Sequence, residues 1–483
     1  MNFFSILRIL GILLILFSLT MLPPTGVALY FQDGNWQPFL DAFGALLALG
    51  AIVWWPTRKY RRELRVRDGF LVVALFWIVL GGAGAAPLLL SQKLDMSFTD
   101  AIFEAVSGFT TTGAIIFPSL ETLPPSVLYY RSQVEWLGGI GIVVLAVALL
   151  PMLGVGGMQL LRAETPGPVK DSKLTPRITE TAKALWIIYV ALTAVCALAY
   201  WGAGMTPFDA IAHSFTTVST GGNSTHDASL AFFENGVIEA IAIIFMFIGG
   251  VNFSLHFLAW RHRRIFNYFR DPEFRIYTRL LVISTVLYTL VLWLTRYGEG
   301  PEHSLRLAVF HAMSMQTTSG FVIDSVAQWP GALPVLLMLS AFIGGCAGST
   351  SGGMKVVRWL LIWRQGQREV VQLVHPSAEL PVKLGGKAID PRVVDAVWGF
   401  FAVYVISFAV LMVLLLALGE DQVTAFSAIA ACMTNTGTGL GDVARDFTSL
   451  TDSGKWICVL AMLLGRLEVF PLLVLVSPTF WRR

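Results

Sequence analysis

Charge is what this chain of 483 residues has least of: Asp, Glu, Lys and Arg make up 13% of it, where a soluble globular chain carries roughly 25%. Apolar residues make up 55%, the mean hydropathy is +0.68, and apolar runs of about 18 residues or more recur. That balance excludes a large soluble protein with a greasy core and identifies an integral membrane protein. No polar stretch is long enough for a soluble domain, which leaves no room for an ATPase or nucleotide-binding unit. Cysteine is scarce too. Cys196, Cys346, Cys432 and Cys458 form no CxxC pair, so neither a zinc site nor a disulfide framework is expected; Cys346 and Cys432 read as small apolar fillers. The seven His form no HExxH, and no nucleophile–base set is visible. Gly154–Gly157 follows an apolar helix, not a strand, and is no dinucleotide site. An enzyme is therefore not expected. The N-terminal run has Arg8 and an apolar stretch, as a signal peptide does, but lacks a small-x-small cleavage site; it reads as a retained first helix.

What is there is a set of apolar spans, at about residues 3–22, 38–55, 69–90, 134–155, 184–203, 236–260, 276–295, 331–361, 393–419 and 456–477. Helices satisfy their own backbone in lipid, so the expected fold is all-α, with ten transmembrane helices. Lys and Arg fall in 57–68, 156–183, 261–279, 355–392 and the two termini. These segments hold 27 of the 34 basic residues and share one side of a ten-helix arrangement, which puts both termini in the cytoplasm.

Between the later spans, one short pattern recurs four times: AIFEAVSGFTTTG (101–113), AIAHSFTTVSTGG (210–222), AVFHAMSMQTTSG (308–320) and AFSAIAACMTNTG (425–437). None is long enough to cross a bilayer, and each lies between two full spans. Two N-terminal helices (1–68) would then precede four helix–loop–helix repeats, at 69–175, 176–270, 271–388 and 389–483. A dehydrated K⁺ ion needs a cage of oxygens, and four loops around one axis supply it from backbone carbonyls. Glycine reaches the backbone angles that turn carbonyls inward. The expected filter is Thr110, Thr111, Thr112 and Gly113; Ser219, Thr220, Gly221 and Gly222; Thr317, Thr318, Ser319 and Gly320; Thr434, Asn435, Thr436 and Gly437. The carbonyls of Thr111, Thr112, Thr220, Gly221, Thr318, Ser319, Asn435 and Thr436 are the expected ion ligands. The alternative is ordinary re-entrant turns, since Thr-Gly pairs are common in loops. With one glycine shared by all four copies, discrimination of K⁺ from Na⁺ should be weak, and Rb⁺ should permeate with K⁺. The short helices should aim their C-terminal, partly negative ends at the cation.

Other residues bear on such a pathway. The span 331–361 is interrupted by Gly344, Gly345, Cys346, Ala347, Gly348, Ser349, Thr350, Ser351, Gly352 and Gly353. Glycine costs about 1 kcal/mol each in a helix, and irregular backbone at membrane depth is tolerated only inside protein or beside water. It reads as a movable gate, or else as a close helix crossing on small residues; only the third repeat is expected to have a broken second helix. Arg466 lies near the middle of the last span and must face the bundle interior, either as a barrier to cations below the filter or in an interhelical pair. Glu468, at i+2, does not share its helix face and needs another partner, Lys455 being one candidate. Glu104, His213, His311 and Ala428 share one position in the short helices, where a proton relay or a structural bond behind the filter is conceivable. Asp95, Asp100, Glu121, Asp209, Asp227, Asp324, Asp421 and Asp442 are expected on the outer face, most of them solvated.

These features, together with GVGGMQL (154–160), STHDAS (224–229), RDPEFR (270–275), AFIGGCAGST (341–350), AVWGFF (396–401), GRLEVF (465–470) and SPTFWRR (477–483), resemble the TrkH family of bacterial Trk potassium-uptake systems, within the Trk/Ktr/HKT superfamily. The resemblance covers essentially the whole chain. It implies four K⁺-channel-like repeats behind two extra N-terminal helices, a gating glycine-rich loop, and an arginine in the permeation path. It also implies a homodimer in the bacterial inner membrane and a TrkA-like cytosolic ring that binds nucleotides and controls gating. No covalent cofactor and no nucleic-acid partner are expected; K⁺ is the permeating ion. A K⁺/H⁺ or K⁺/Na⁺ symporter on the same scaffold is the alternative, weakened because no intramembrane acid is evident beside a filter. A membrane enzyme or a purely structural subunit would not account for four filter-like loops.

Overall fold

The computed structural model describes residues 2–60, 66–152, 178–297, 300–378 and 380–481, so the basic residues Arg61, Arg62, Arg65, Arg162, Lys170, Lys173, Arg177, Arg482 and Arg483 and the Gly154–Gly157 motif lie outside the described residues. The described chain is helical apart from a two-stranded hairpin, β1 (Lys383–Leu384) and β2 (Lys387–Ala388). Among the described residues six helices are long and apolar enough to cross a membrane, or seven if one bent pair is a single span.

The N-terminal unit pairs α1 (Phe3–Ser18) with α3 (Trp36–Thr57). The first helical stretch runs past the expected residue 22. A 3-10 turn at Leu19–Met21 leads into α2 (Leu22–Phe31), whose prolines occupy N-terminal positions, where a missing N–H costs nothing. Gly11 and Gly50 set the approach of α1 to α3: a Cβ on Gly11 would lie 2.8 Å from Trp54 N, and one on Gly50 2.9 Å from Gly11 O. Small residues let helix backbones meet in this way.

The repeats follow in order. The first comprises α4 (Val66–Ala83), α5 (Ala86–Leu90), the short α6 (Phe98–Phe109) and α7 (Pro125–Met152). The second comprises α8 (Ile178–Gly202), the short α9 (Pro207–Val218), α10 (Gly236–Gly249) and α11 (Phe253–His262). After α12 (Phe266–Arg270), the third has α13 (Pro272–Leu294), the short α14 (Pro301–Gln316), α15 (Leu333–Ile343) and α16 (Val356–Val374). The hairpin leads to the fourth: α17 (Pro391–Ala417), the short α18 (Gln422–Thr434), α19 (Asp452–Arg466), α20 (Phe470–Val476) and α21 (Pro478–Trp481). Local side-chain caps start three of the four short helices. Ser97 and Asp100 exchange hydrogen bonds at the head of α6, Thr206 and Asp209 do the same for α9, and Asp421 accepts from Val423 N and Thr424 N, each satisfying otherwise unpaired N–H groups.

The expectation that only the third repeat has a broken second helix is overturned. α7 contains Gly141 at φ 55°, ψ −160°; α10 and α11 meet at 93°; α15 and α16 are separated by residues 344–355; α19 ends at Arg466, and Glu468 and Val469 have φ of 55° and 61°. The breaks fall at GGIG, GGVN, GGCA and GRLE, so the interruption belongs to the repeat itself and the third copy only lengthens it.

Replacing Gly50 by Leu should overpack the α1–α3 contact and destabilise the fold by about 1–3 kcal/mol. The measurement is a lowered midpoint of thermal unfolding in detergent; an unchanged midpoint would show that the contact is not a constraint.

Candidate functional site

Each short helix ends in a loop with the same backbone signature. Thr111, Thr220, Thr318 and Asn435 have φ of 55°, 53°, 56° and 57°, and two residues later Gly113, Gly222, Gly320 and Gly437 have φ of 72°, 82°, 77° and 77°. Asn tolerates the left-handed region; a β-branched Thr there is strained, by about 1–3 kcal/mol. Three of the four loops therefore hold strain that the surrounding packing must sustain.

The glycines show why the loops need them. A Cβ on Gly113 would collide with Gly221 O, one on Gly222 with Ser319 O, one on Gly320 with Thr436 O, and one on Gly437 with Thr112 O. Each quadrant thus receives a carbonyl of the next, in the order one, two, three, four and back to one. The ring is closed. Hydrogen bonds cross the same junctions. Arg131 Nη2 donates to Asn223 Oδ1 (3.0 Å), Val322 N to Ser229 Oγ (3.3 Å), Thr438 Oγ1 to Gly320 O (2.8 Å), and Asn435 Nδ2 to Thr112 Oγ1 (3.0 Å). Hydroxyl pairs 2.8 Å apart brace three loops from within: Thr110 with Thr112, Thr317 with Ser319, and Thr434 with Thr436. The second loop has Gly221 where the others have the later hydroxyl.

Behind the ring, the shared short-helix position is occupied by bonds to the chain that leaves each loop. Glu104 accepts from Ile116 N (3.2 Å), His213 Nε2 is 3.0 Å from Ser224 Oγ, and His311 Nε2 is 3.5 Å from Ile323 N. In the fourth quadrant, Ala428 has no polar atom and Ser427 bonds Leu440 instead. Of the two readings of this position, the structural bond is the one seen. Glu104 also pairs with Arg131 at 2.5 Å, both buried.

A residue the sequence reading missed sits beside the first two loops. Glu135, on α7, is fully buried; its Oε2 accepts from Asn223 N at 3.2 Å. A Cβ on Gly221 would lie 2.5 Å from that oxygen. Its Oε1 has no hydrogen-bond partner among the described residues. The expectation that no acid lies beside a filter is thereby corrected. The usable signal in the sequence is Arg131–Glu135, an i,i+4 charged pair at the head of an apolar span.

Beneath the ring, residues 344–355 are stitched to the quadrants around them. Cys346 N donates to Gly250 O (2.8 Å), Thr350 Oγ1 to Val218 O and Gly249 O (both 3.1 Å), Gly352 N to Thr318 Oγ1 (2.6 Å) and Gly353 N to Thr434 O (3.0 Å). The first quadrant is reached through Arg466, whose guanidinium donates to Thr350 O (3.0 Å), Gly138 O (2.5 Å) and Gly139 O (3.1 Å) and lies 5.3 Å from the Trp77 ring centroid. Arg466 thus clasps the loop to α7. These carbonyl contacts are a third role for it, beside the expected barrier and interhelical pair. Glu468 pairs with Arg358, while Lys455 pairs with Asp100. From the other side, Glu273 Oε1 accepts from Ala347 N (2.7 Å) and Val357 N (3.2 Å).

Of the acids expected on the outer face, Asp95, Glu121, Asp421 and Asp442 are exposed, whereas three others are held by neighbours. Asp227 accepts from Ser119 and Leu120 N and pairs with Arg445, joining three quadrants. Asp209 accepts from Thr206 and Thr225 and faces His226. Burial acts to raise its carboxyl pKa, but these partners hold it down to about 2. Asp324 accepts from Trp329 Nε1. Among the described residues no group of three or more His, Cys, Asp or Glu could hold a metal ion. The four cysteines are buried and free.

The sequence profile of the TrkH family, described as a cation transport protein, matches residues 36–483. The chain is 53% identical over its full length to the Trk system potassium uptake protein TrkH of Halomonas elongata and 52% identical to that of Escherichia coli K12, each alignment covering all of both chains. It is 41% identical to the Trk system potassium uptake protein TrkG of Escherichia coli K12, over 98% of this chain and 97% of that one. The crystal structure of the potassium transporter TrkH from Vibrio parahaemolyticus superposes with a TM-score of 0.92 at 50% identity, covering all of both chains.

Arg131→Met should leave Glu104 and Glu135 buried without their shared cation. Removing one partner of a buried pair costs about 3–5 kcal/mol, so the thermal midpoint should fall clearly, and Arg131→Lys should recover part of the loss. Equal midpoints for all three proteins would show that the network adds nothing.

Proposed function

The chain belongs to the TrkH family of cation transport proteins, and on that premise we propose that it takes up K⁺ across the bacterial inner membrane through a gated pore lined by backbone carbonyls. The family is one of transporters, not enzymes. The observation that carries the reading is the closed ring, in which each of four loops lays a carbonyl against the glycine of the previous one. Carbonyl rings replace the hydration shell of K⁺. On this reading the carbonyls of Thr111, Thr112, Thr220, Gly221, Thr318, Ser319, Asn435 and Thr436 face the ion, and the C-terminal ends of α6, α9, α14 and α18 add partial negative charge. Ten spans with both termini in the cytoplasm, four repeats at the expected boundaries, and a homodimer complete the reading. Rb⁺ passes as K⁺ does, and Na⁺ is excluded only weakly, because the second loop lacks one hydroxyl brace and the fourth has Asn435.

Residues 344–353 are the gate, held under the ring by the bonds to Thr318, Thr434, Gly249 and Gly250 and by the Arg466 clasp. Opening exchanges those bonds for water, and a TrkA-like nucleotide-binding subunit acting on the cytoplasmic face is the expected source of the force. Arg466 then acts twice, as a positive charge on the path and as the bond that keeps the loop in place.

A K⁺/H⁺ symporter is the second reading, and Glu135 favours it by placing a buried carboxyl with one unpartnered oxygen beside the first two loops. The two are separated by the reversal potential of the reconstituted protein under imposed K⁺ and pH gradients. We expect it to follow the K⁺ gradient alone; displacement by the pH gradient would establish the symporter.

Arg466→Ala should raise Rb⁺ flux into proteoliposomes several-fold, and Arg466→Lys should raise it less, since Lys keeps the charge but not the fork that spans three carbonyls. Unchanged flux in both would remove Arg466 from the gate.

A further inference from the structure

We propose that a basic cleft walled by α13, α16 and the β-hairpin binds the phosphate headgroup of an anionic phospholipid, and that its occupancy steadies the loop 344–355. The cleft has a volume of about 560 Å³ and gathers Arg275 and Arg279 from α13, Arg364 and Arg368 from α16, and Lys383 from β1; among the described residues no carboxylate lines it. Among the described residues, the side chains of Arg275, Arg279, Arg364 and Lys383 make no hydrogen bond or ion pair, and Arg368 has one, to Glu369 at 3.0 Å. Five like charges around one hollow repel each other, and the one ion pair these cations make among the described residues, Arg368 with Glu369, offsets only part of that repulsion. A phosphate does, because guanidinium groups grip its oxygens two at a time.

Three features favour a lipid over a soluble anion or a protein. Arg275 and Arg279 lie among the residues that open a 23-residue apolar span starting at Pro272, so the cleft sits where hydrocarbon gives way to water. Ile276 and Leu360 share its lining with the cations, giving acyl chains an apolar wall directly beneath the headgroup. The Lys and Arg distribution puts this end of α13 on the cytoplasmic side, where anionic lipid headgroups meet basic pockets between helices.

The cleft is wired to the loop at both ends. Glu273 stands two residues before Arg275 on α13, and its buried carboxylate accepts from Ala347 N within the loop and from Val357 N at the start of α16. A headgroup bridging Arg275 and Arg279 to Arg364 and Arg368 holds α16 against α13, and with it the grip of Glu273. Occupancy should therefore favour the stitched loop and slow ion flux. Lipid binding stands by itself; only its effect on flux rests on the transport reading.

The test uses the full-length protein, and Arg275→Gln/Arg364→Gln with Arg279→Gln/Arg368→Gln as a second pair. Retained phosphatidylglycerol is counted by native mass spectrometry, and thermal midpoints are read with phosphatidylglycerol, phosphatidylcholine or inorganic phosphate added. Expected are retention and a raised midpoint with phosphatidylglycerol alone, weakened about tenfold or more in both pairs and unaffected by Arg263→Gln outside the cleft. Equal retention by all proteins, or equal stabilisation by inorganic phosphate, would overturn the lipid site. So would a cleft whose variants lose binding of a cytosolic protein subunit while keeping the lipid. Rb⁺ flux is then compared in phosphatidylcholine vesicles with and without an equal part of phosphatidylglycerol. Slower flux with phosphatidylglycerol in the wild type, but not in the variants, supports the coupling; lipid binding without any effect on flux refutes the coupling and leaves the site. Absence of Rb⁺ flux from every protein in every lipid, with lipid retention intact, would count against the transport reading instead.

Discussion

Everything in this fold answers to one close contact, made four times: a carbonyl oxygen of one loop occupies the space that a side chain would need on the glycine of the loop before it. No residue but glycine leaves that space free and also takes the positive φ found there. The contact is strict because it is cyclic. An error at one junction must be taken up by the other three, so the quadrants cannot drift apart in backbone even where their side chains differ. That is why Thr111, Thr220, Thr318 and Asn435 share a left-handed conformation that suits only the last of them.

Such a ring is strained, and the layers around it compensate. Behind it, Glu104, His213, His311 and Ser427 tie the outgoing chain to each short helix, and Arg131 stands between Glu104, Asn223 and the neighbourhood of Glu135. A buried network of this kind is weak evidence for stability, since desolvation offsets most of the attraction, but losing one member leaves an uncompensated charge. Above it, Asp227 and Arg445 close the outer loops over the first, second and fourth quadrants. The asymmetry is physical: a carboxylate lies against the junction of the first two loops, an amide against that of the fourth and first. Unequal quadrants impose unequal fields on whatever lies on the axis.

Below the ring, the broken second helices follow from the same geometry. For the inner helices to pass close under the loops, small residues must face them: Gly138 meets Phe109 O, Gly249 meets Val218 O, and Gly465 meets Met433 O. A pair of small residues at that height weakens the helix, and each copy bends or stops there. The third copy inserts extra residues at its break, and those residues spread across the underside to contact the others. Arg466 replaces the second glycine of the pair in the fourth copy. Its long fork reaches from there to both the inserted loop and α7, a span no ion pair along its own helix could make.

The amino-acid sequence by itself determined the membrane class, the four short helices with their hydroxyl–glycine ends, the glycine-rich interruption and the interior position of Arg466. These are local properties: apolar length, turn chemistry and the cost of charge in hydrocarbon act on each segment alone. Only the tertiary structure decided what meets what. It joined Glu468 to Arg358 rather than to Lys455, brought Glu135 against Gly221 from a neighbouring repeat, and turned Arg466 from a lone charge into a clasp. It also revealed the other three helix breaks, whose Gly-Gly and Gly-Arg pairs read as parts of apolar runs until the loops they pass beneath are in place. The reason is common to all of these. A buried polar atom takes the partner that arrives within hydrogen-bond reach, and which partner arrives depends on how four distant segments close around one axis.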